Sequence, residues 1–178
     1  RGLITKSEIR AIVLSKLKLD VGHVVWDLGA GSGSIGIEAS LFVRKGRIIA
    51  VEKDHKRSQQ IEGNRRRFKV KNMEVIHGTL PDVIQDLPRP DRVFIGGGGN
   101  GLPDLIQKTI HRLQPTGKIV VNTVILANMT SAIAVMEELG LYTDTVQVQV
   151  NRSQKMPWGQ RFEAENPVWI ISGEKKLH

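Results

Sequence analysis

Between residues 23 and 123, short β-branched and aliphatic runs alternate with longer amphipathic stretches. Residues 23–28, 47–52, 73–77, 92–95 and 118–123 read as strands, with helices between them. Alternation of this kind builds a parallel sheet with helices packed on its faces. The end of the chain departs from it. Residues 142–150 and 168–172 are two strand-like runs with no helical pattern between them, which predicts an antiparallel closing pair. Their connection, residues 151–167, is basic and rich in Pro, Gly and Asn, and reads as a long loop. Before the first strand, "TKSEIRAIVLSKLKL" places Ile9, Ile12, Val13 and Leu17 on one helical face. Thr5 and Glu8 have the spacing of a capping box, so Thr5 is expected to cap this helix.

Composition narrows the class without naming a chemistry. The 178 residues suit one domain with a real core, and an apolar share of 40% with 25% charged residues excludes wholesale disorder. With no cysteine, disulfides and thiolate metal sites are excluded, and the five histidines lack metal-ligand spacing; His77 and His111 read as structural. The apolar run at 118–126 is broken by Asn122, well short of the roughly 18 residues a membrane helix needs. A net charge of +8 predicts an anionic partner, whether nucleic acid, phosphate or polycarboxylate. The chain opens with Arg1, so an upstream segment or fused domain is compatible with it.

The candidate chemistry begins at "WDLGAGSGSIG". A strand ending in Asp27 runs into Gly29, Ala30, Gly31, Ser32 and Gly33, then into a helix whose apolar residues are Ile35, Ile37 and Ala39. Glycines let a backbone turn sharply and approach a ligand, and the helix start presents unpaired N–H groups. The pattern fits both a dinucleotide fingerprint and a loop for S-adenosylmethionine. Glu52, about 20 residues on, suits the ribose of either ligand. Asp27 favours the second reading, because an anion there would repel a pyrophosphate and attract an ammonium or sulfonium cation.

With its strand-helix alternation and its closing pair, the chain resembles class I S-adenosylmethionine-dependent methyltransferases: a Rossmann-like α/β fold with a seven-stranded, mostly parallel sheet and one antiparallel closing strand. The resemblance implies a third cofactor contact after the third strand, in "VIHGTLPD", through Gly78, Thr79 and Leu80; a plain turn with Thr79 as a helix cap is the alternative. After the fourth strand, "DRVFIGGGGNG" lacks the Pro-Pro-aromatic signature of enzymes that methylate base amines. Gly97, Gly98 and Gly99 instead leave an open backbone surface with room for a large planar substrate.

"GLITKSEIR", "DLGAGSGSIGIEAS", "VEKD", "HGTLPD", "FIGGGGNGLPDLI", "GKIVVNTV" and "ENPVWIISG" together resemble the decarboxylating precorrin methyltransferases of cobalamin biosynthesis, including the C-terminal half of the fused precorrin-6Y C5,15-methyltransferase. That resemblance implies methylation of C15 of a precorrin with loss of the C12 acetate carboxyl as carbon dioxide, one methyltransferase domain over residues 1–178, a cytoplasmic location and a homotetramer, with no nucleic-acid or membrane partner. It adds Thr5 to the cofactor residues. A precorrin bears many carboxylates, so Lys6, Arg10, Arg152, Lys155 and Arg161 are candidate substrate cations. The run Arg65–Arg67 reads as a solvated face or a subunit contact. No acid or base stands out as catalytic, which accords with a reaction driven by orientation and desolvation. An S-adenosylmethionine-dependent RNA methyltransferase, a nicotinamide-dependent dehydrogenase and a non-catalytic corrinoid-binding protein are the alternatives.

Overall fold

The computed structural model describes residues 5–97 and 99–176; Gly98 lies outside them. Five strands form the expected parallel core: β1 (Val24–Leu28), β2 (Arg47–Glu52), β3 (Met73–His77), β4 (Arg92–Ile95) and β5 (Lys118–Thr123). β6 (Tyr142–Val148) and β9 (Val168–Glu174) complete a seven-stranded sheet in the order β3-β2-β1-β4-β5-β9-β6, with β9 antiparallel to both neighbours. The Rossmann-like methyltransferase sheet and its antiparallel closing pair are therefore present.

Strands β1, β2, β4 and β5 are near-continuous apolar runs because both their faces are covered. Alternation along them sorts the core. Trp26, Leu28, Val93, Ile95, Ile119 and Val121 point to one face, where helices α4 (Leu102–Arg112) and α5 (Leu126–Glu138) supply Leu105, Ile106, Ala132 and Met136. Val25, Ile48 and Ala50 meet Ala39 of α2 (Ser34–Ala39) and Ile61 of α3 (His55–Arg67) on the other face. On that same side, α1 (Ser7–Leu17) packs Ile9, Val13 and Leu17 against Phe94, Val120 and Ile170. Ile12 and Ile37 are only partly buried.

Two expectations need correction. Residues 151–164 form a hairpin of β7 (Asn151–Met156) and β8 (Gly159–Ala164), not a loop. Every residue of both strands is exposed, so no face is selected for apolar residues and period-two patterning is absent. Thr5 does not cap α1. The helix starts at Ser7, Lys6 occupies the cap position, and among the described residues no side chain bonds there. Glu8, the other half of the expected box, instead accepts hydrogen bonds from Ser7 and Arg152.

Candidate functional site at the carboxyl edge of the sheet

Register brings the glycine loop and its partners level. Leu28 lies beside Val51 on one side and Ile95 on the other, while Glu52 lies beside His77. Gly29, Glu52, Gly78 and Gly96 therefore emerge together, at the β1–β4 switch point where open α/β sheets bind ligands. Gly29, Gly31 and Gly33 have φ values of 71°, 59° and 73°, a conformation that costs other residues. The N–H groups of Gly29 and Ala30 both donate to the Val51 carbonyl at 3.0 Å, which pins the loop to β2. The Ser32 carbonyl accepts from Asn64 at 3.1 Å. Gly33 packs so closely that a Cβ would lie 2.6 Å from Ile61 Cγ2.

Two carboxyl groups organise the loop. Glu52 is only 5% exposed; its oxygens accept from Gly31 N–H at 2.9 Å and from Asp54 N–H at 3.0 Å. It thus ties the glycine loop to the lead-in of α3, and each oxygen retains capacity for a ligand hydroxyl. Asp27 is 1% exposed and lies beneath the loop, with Oδ2 accepting from Gly36 N–H at 2.9 Å and Oδ1 buried without a partner among the described residues. Burial pushes its carboxyl up to about 7; the Gly36 bond opposes this, and the charge of Glu52 adds to it. Asp27 is thus a support of the loop that is partly protonated at neutral pH. The sequence points to an anion at this position; the structure places that carboxyl beneath the loop, where burial raises it toward neutrality.

On the β3 side, Gly78 N–H donates to the Glu52 carbonyl at 3.1 Å. Thr79 is exposed, and the following short helical turn has no side-chain cap, so the cap alternative for Thr79 is not realised. On the β4 side, Gly97 and Gly99 have φ values of 136° and 52° with open space where a side chain would stand. A cleft of about 450 Å³ opens there, lined by Thr5, Lys6 and Ile9 before and within α1, by Gly96, Gly97 and Gly99, and by residues after β5. The two halves touch: a Cβ on Gly96 would lie 3.1 Å from the Gly29 carbonyl. Asn122, Thr123, Val124, Ile125, Asn128, Asn166 and Val168 also line this cleft. Sequence reasoning passed over these residues; the polar Asn122 interrupting an apolar strand was the available signal.

The basic candidates do not converge on the cleft. Lys6 lines it but is ion-paired with Glu165. Arg152 bonds Glu165 at 3.1 Å and Glu8 at 2.8 Å, fastening β7 to α1. Arg10 bonds Glu38 at 2.6 Å and the Thr5 carbonyl at 2.5 Å, and lines a separate cavity of about 830 Å³ with Asn64 and Phe68. Arg161 donates to Gln154 across the hairpin at 3.3 Å, and Lys155 is exposed. Carboxylates distant in sequence capture Lys6, Arg10 and Arg152 because unlike charges within a few ångströms attract. On α3, Arg65 and Arg66 pair with Glu62, whose carboxyl they hold down at about 2.

The family description "precorrin methyltransferase domain" matches residues 1–175. The chain belongs to the precorrin methyltransferase family. It is a methyltransferase with S-adenosylmethionine as its methyl donor. The cobalt-precorrin-6B C(15)-methyltransferase (decarboxylating) of Salmonella typhimurium is 33% identical over 174 residues, covering 97% of this chain and 90% of that protein. The crystal structure of precorrin-6y C5,15-methyltransferase from Geobacter metallireducens superposes with a TM-score of 0.92 at 40% identity, over 97% of this chain and 90% of that one. The C-terminal domain of precorrin-6Y C5,15-methyltransferase from Rhodobacter capsulatus gives 0.85 at 30% identity, covering 98% and 92%. Among the described residues no helix is long and apolar enough to cross a membrane.

Proposed function

We propose that the protein methylates C15 of a precorrin and removes the C12 acetate carboxyl as carbon dioxide, as one methyltransferase domain spanning residues 1–178 and acting in the cytoplasm. The observation that carries this reading is the shared wall between two sites: the glycine loop after β1 and the cleft beside Gly97 and Gly99 meet at Gly29 and Gly96. A donor held in the first faces an acceptor held in the second.

The residues present fit the donor. Gly29, Ala30, Gly31, Ser32 and Gly33 form a cradle of small residues, Glu52 would offer lone pairs to ribose hydroxyls, and Gly78, Thr79 and Leu80 would flank the adenine. Asp27 lies beneath the loop that would receive the cationic end, and Thr5 lines the cleft. Bound S-adenosylmethionine supplies an activated, electrophilic methyl group. The chain's own task is to hold the macrocycle edge-on to it and to keep water out, which orientation and desolvation accomplish without a strong base. The apolar side chains of Ile9, Val124, Ile125 and Val168 suit one face of the macrocycle. The open backbone at Gly97 and Gly99 leaves room for its plane. Lys6 is the cation placed to meet a peripheral carboxylate, by exchanging Glu165 for it; Arg10, Arg152 and Arg161 stand at a greater remove, for the substrate's longer arms.

The same reading includes a homo-oligomer, a tetramer by analogy with the family. It is supported by the hairpin, which carries Met156, Trp158 and Phe162 with 43%, 92% and 74% of their surface exposed; isolated two-stranded hairpins are marginal in water. The decisive experiment is incubation with S-adenosylmethionine and a precorrin-6 or precorrin-7 type tetrapyrrole, followed by mass spectrometry. Gain of one methyl with loss of carbon dioxide is the expected product. An unchanged tetrapyrrole together with methylated bulk RNA would replace this reading with the RNA alternative.

A further inference from the structure

Asn122 stands where the fold asks for an apolar residue. It is in the same alternation as Val120 on β5, pairs with Ile170 of β9, and is 7% exposed. Val120 and Ile170 belong to the core packed under α1. The Asn122 carboxamide makes no hydrogen bond to a described residue; Oδ1 is its enclosed, unpartnered atom, which leaves the Nδ2 amino group as the donor open to a ligand. A buried amide left this way is costly, so folding alone would favour Val or Leu there. Its side chain lines the 450 Å³ cleft beside Gly97 and Gly99.

The rest of that lining has a distinctive chemistry. Its polar side chains are amides and hydroxyls, namely Asn122, Asn128, Asn166, Thr5 and Thr123. Among the described residues that line it, Lys6 is the single charged side chain, and it is paired with Glu165. A polycarboxylate would ordinarily call for cations. A carboxylate that must leave as carbon dioxide is different. A guanidinium or ammonium against it stabilises the starting anion and raises the barrier to its loss, since only interactions stronger in the transition state accelerate a step. A neutral amide donor in a dry site orients the carboxylate and leaves that charge weakly compensated.

Resting on the proposed reaction, we propose that Asn122 holds the acetate that is lost, and so couples decarboxylation to methyl transfer. The carbon–carbon bond to the carboxylate breaks, its electron pair flows into the macrocycle, and that pair discharges the positive charge left there by the new methyl group. Carbon dioxide departs, and the methylene left at C12 becomes a methyl group by taking up the proton that C15 gives up, so that no proton is gained or lost overall.

The test uses the full chain with Asn122→Leu and Asn122→Ala, alongside Asn122→Asp, assayed with S-adenosylmethionine and the tetrapyrrole. S-adenosylhomocysteine affinity, measured by calorimetry, is expected to stay within about twofold of wild type, because Asn122 is outside the glycine loop. Leu and Ala are expected to slow carbon dioxide release roughly 10- to 100-fold and to accumulate a methylated product that keeps its carboxyl; Ala repeats the test should Leu disturb packing. Asp, of the same shape, is expected to raise KM for the tetrapyrrole by a similar factor through like-charge repulsion. An active wild type whose Leu and Ala variants retain both its kcat/KM and its product ratio overturns this inference alone. A wild type inert toward the tetrapyrrole overturns the proposed reaction, and the inference with it.

Discussion

Asp27→Asn isolates a carboxyl group whose ionisation opposes folding. In the native protein it is buried, with one oxygen bonded to Gly36 N–H and the other without a partner among the described residues, and its pKa is pushed from 3.8 to about 7. A carboxyl raised in this way is neutral in both states below the unfolded value and costs nothing there. As pH rises above 3.8 the unfolded chain ionises first, so stability falls until the folded pKa near 7 is passed, and then levels off. A difference of about three units corresponds to ~4 kcal/mol, an upper limit. Asparagine keeps the shape and the acceptor for Gly36 but does not titrate. Urea unfolding of both proteins, followed by tryptophan fluorescence from about pH 4.5 to about pH 8.5, gives the stability difference free of contributions from groups they share. The variant should gain on the wild type as pH rises, by up to ~1.4 kcal/mol per unit, and the gain should flatten above pH 7. A difference that does not change with pH would refute the reasoning and show Asp27 to be ordinarily ionised.

Glu52→Ala removes the acceptor that joins Gly31 N–H to Asp54 N–H, and should weaken S-adenosylhomocysteine binding by about 1–3 kcal/mol in calorimetry; unchanged affinity would remove Glu52 from the ribose site. Gly33→Ala combines a φ of 73° with a Cβ 2.6 Å from Ile61 Cγ2, so the urea midpoint should drop by the equivalent of roughly 2–4 kcal/mol. Trp158→Ser with Phe162→Ser should leave the urea midpoint little changed, since neither side chain is in the core, and should shift sedimentation toward smaller species. An unaltered sedimentation coefficient would remove the hairpin from any subunit contact.

Much of the fold is legible because its signals are local. Strands β1, β2, β4 and β5 announce themselves as apolar runs, since a strand covered on both faces must be apolar throughout. The glycine loop is equally legible, because positive φ at residues 29, 31 and 33 selects glycine whatever the surroundings. The β7–β8 hairpin was illegible for the opposite reason: with both faces in solvent, its strands leave no period to read. The capping role of Thr5 misled because Glu8 answers a partner 144 residues away in place of its own helix start.

The sequence by itself determined the order of elements, the sheet they build, the ligand loop at the end of β1 and the acid at the end of β2, all of which follow from periodicity and backbone conformation. Only the tertiary structure decided what the charges do. It buried Asp27 until its carboxyl titrates near neutrality, tied Lys6, Arg10 and Arg152 to carboxylates from other elements, and left an amide-lined cleft beside the glycines after β4. Desolvation and ion pairing depend on which groups lie within a few ångströms, and that proximity is created by folding.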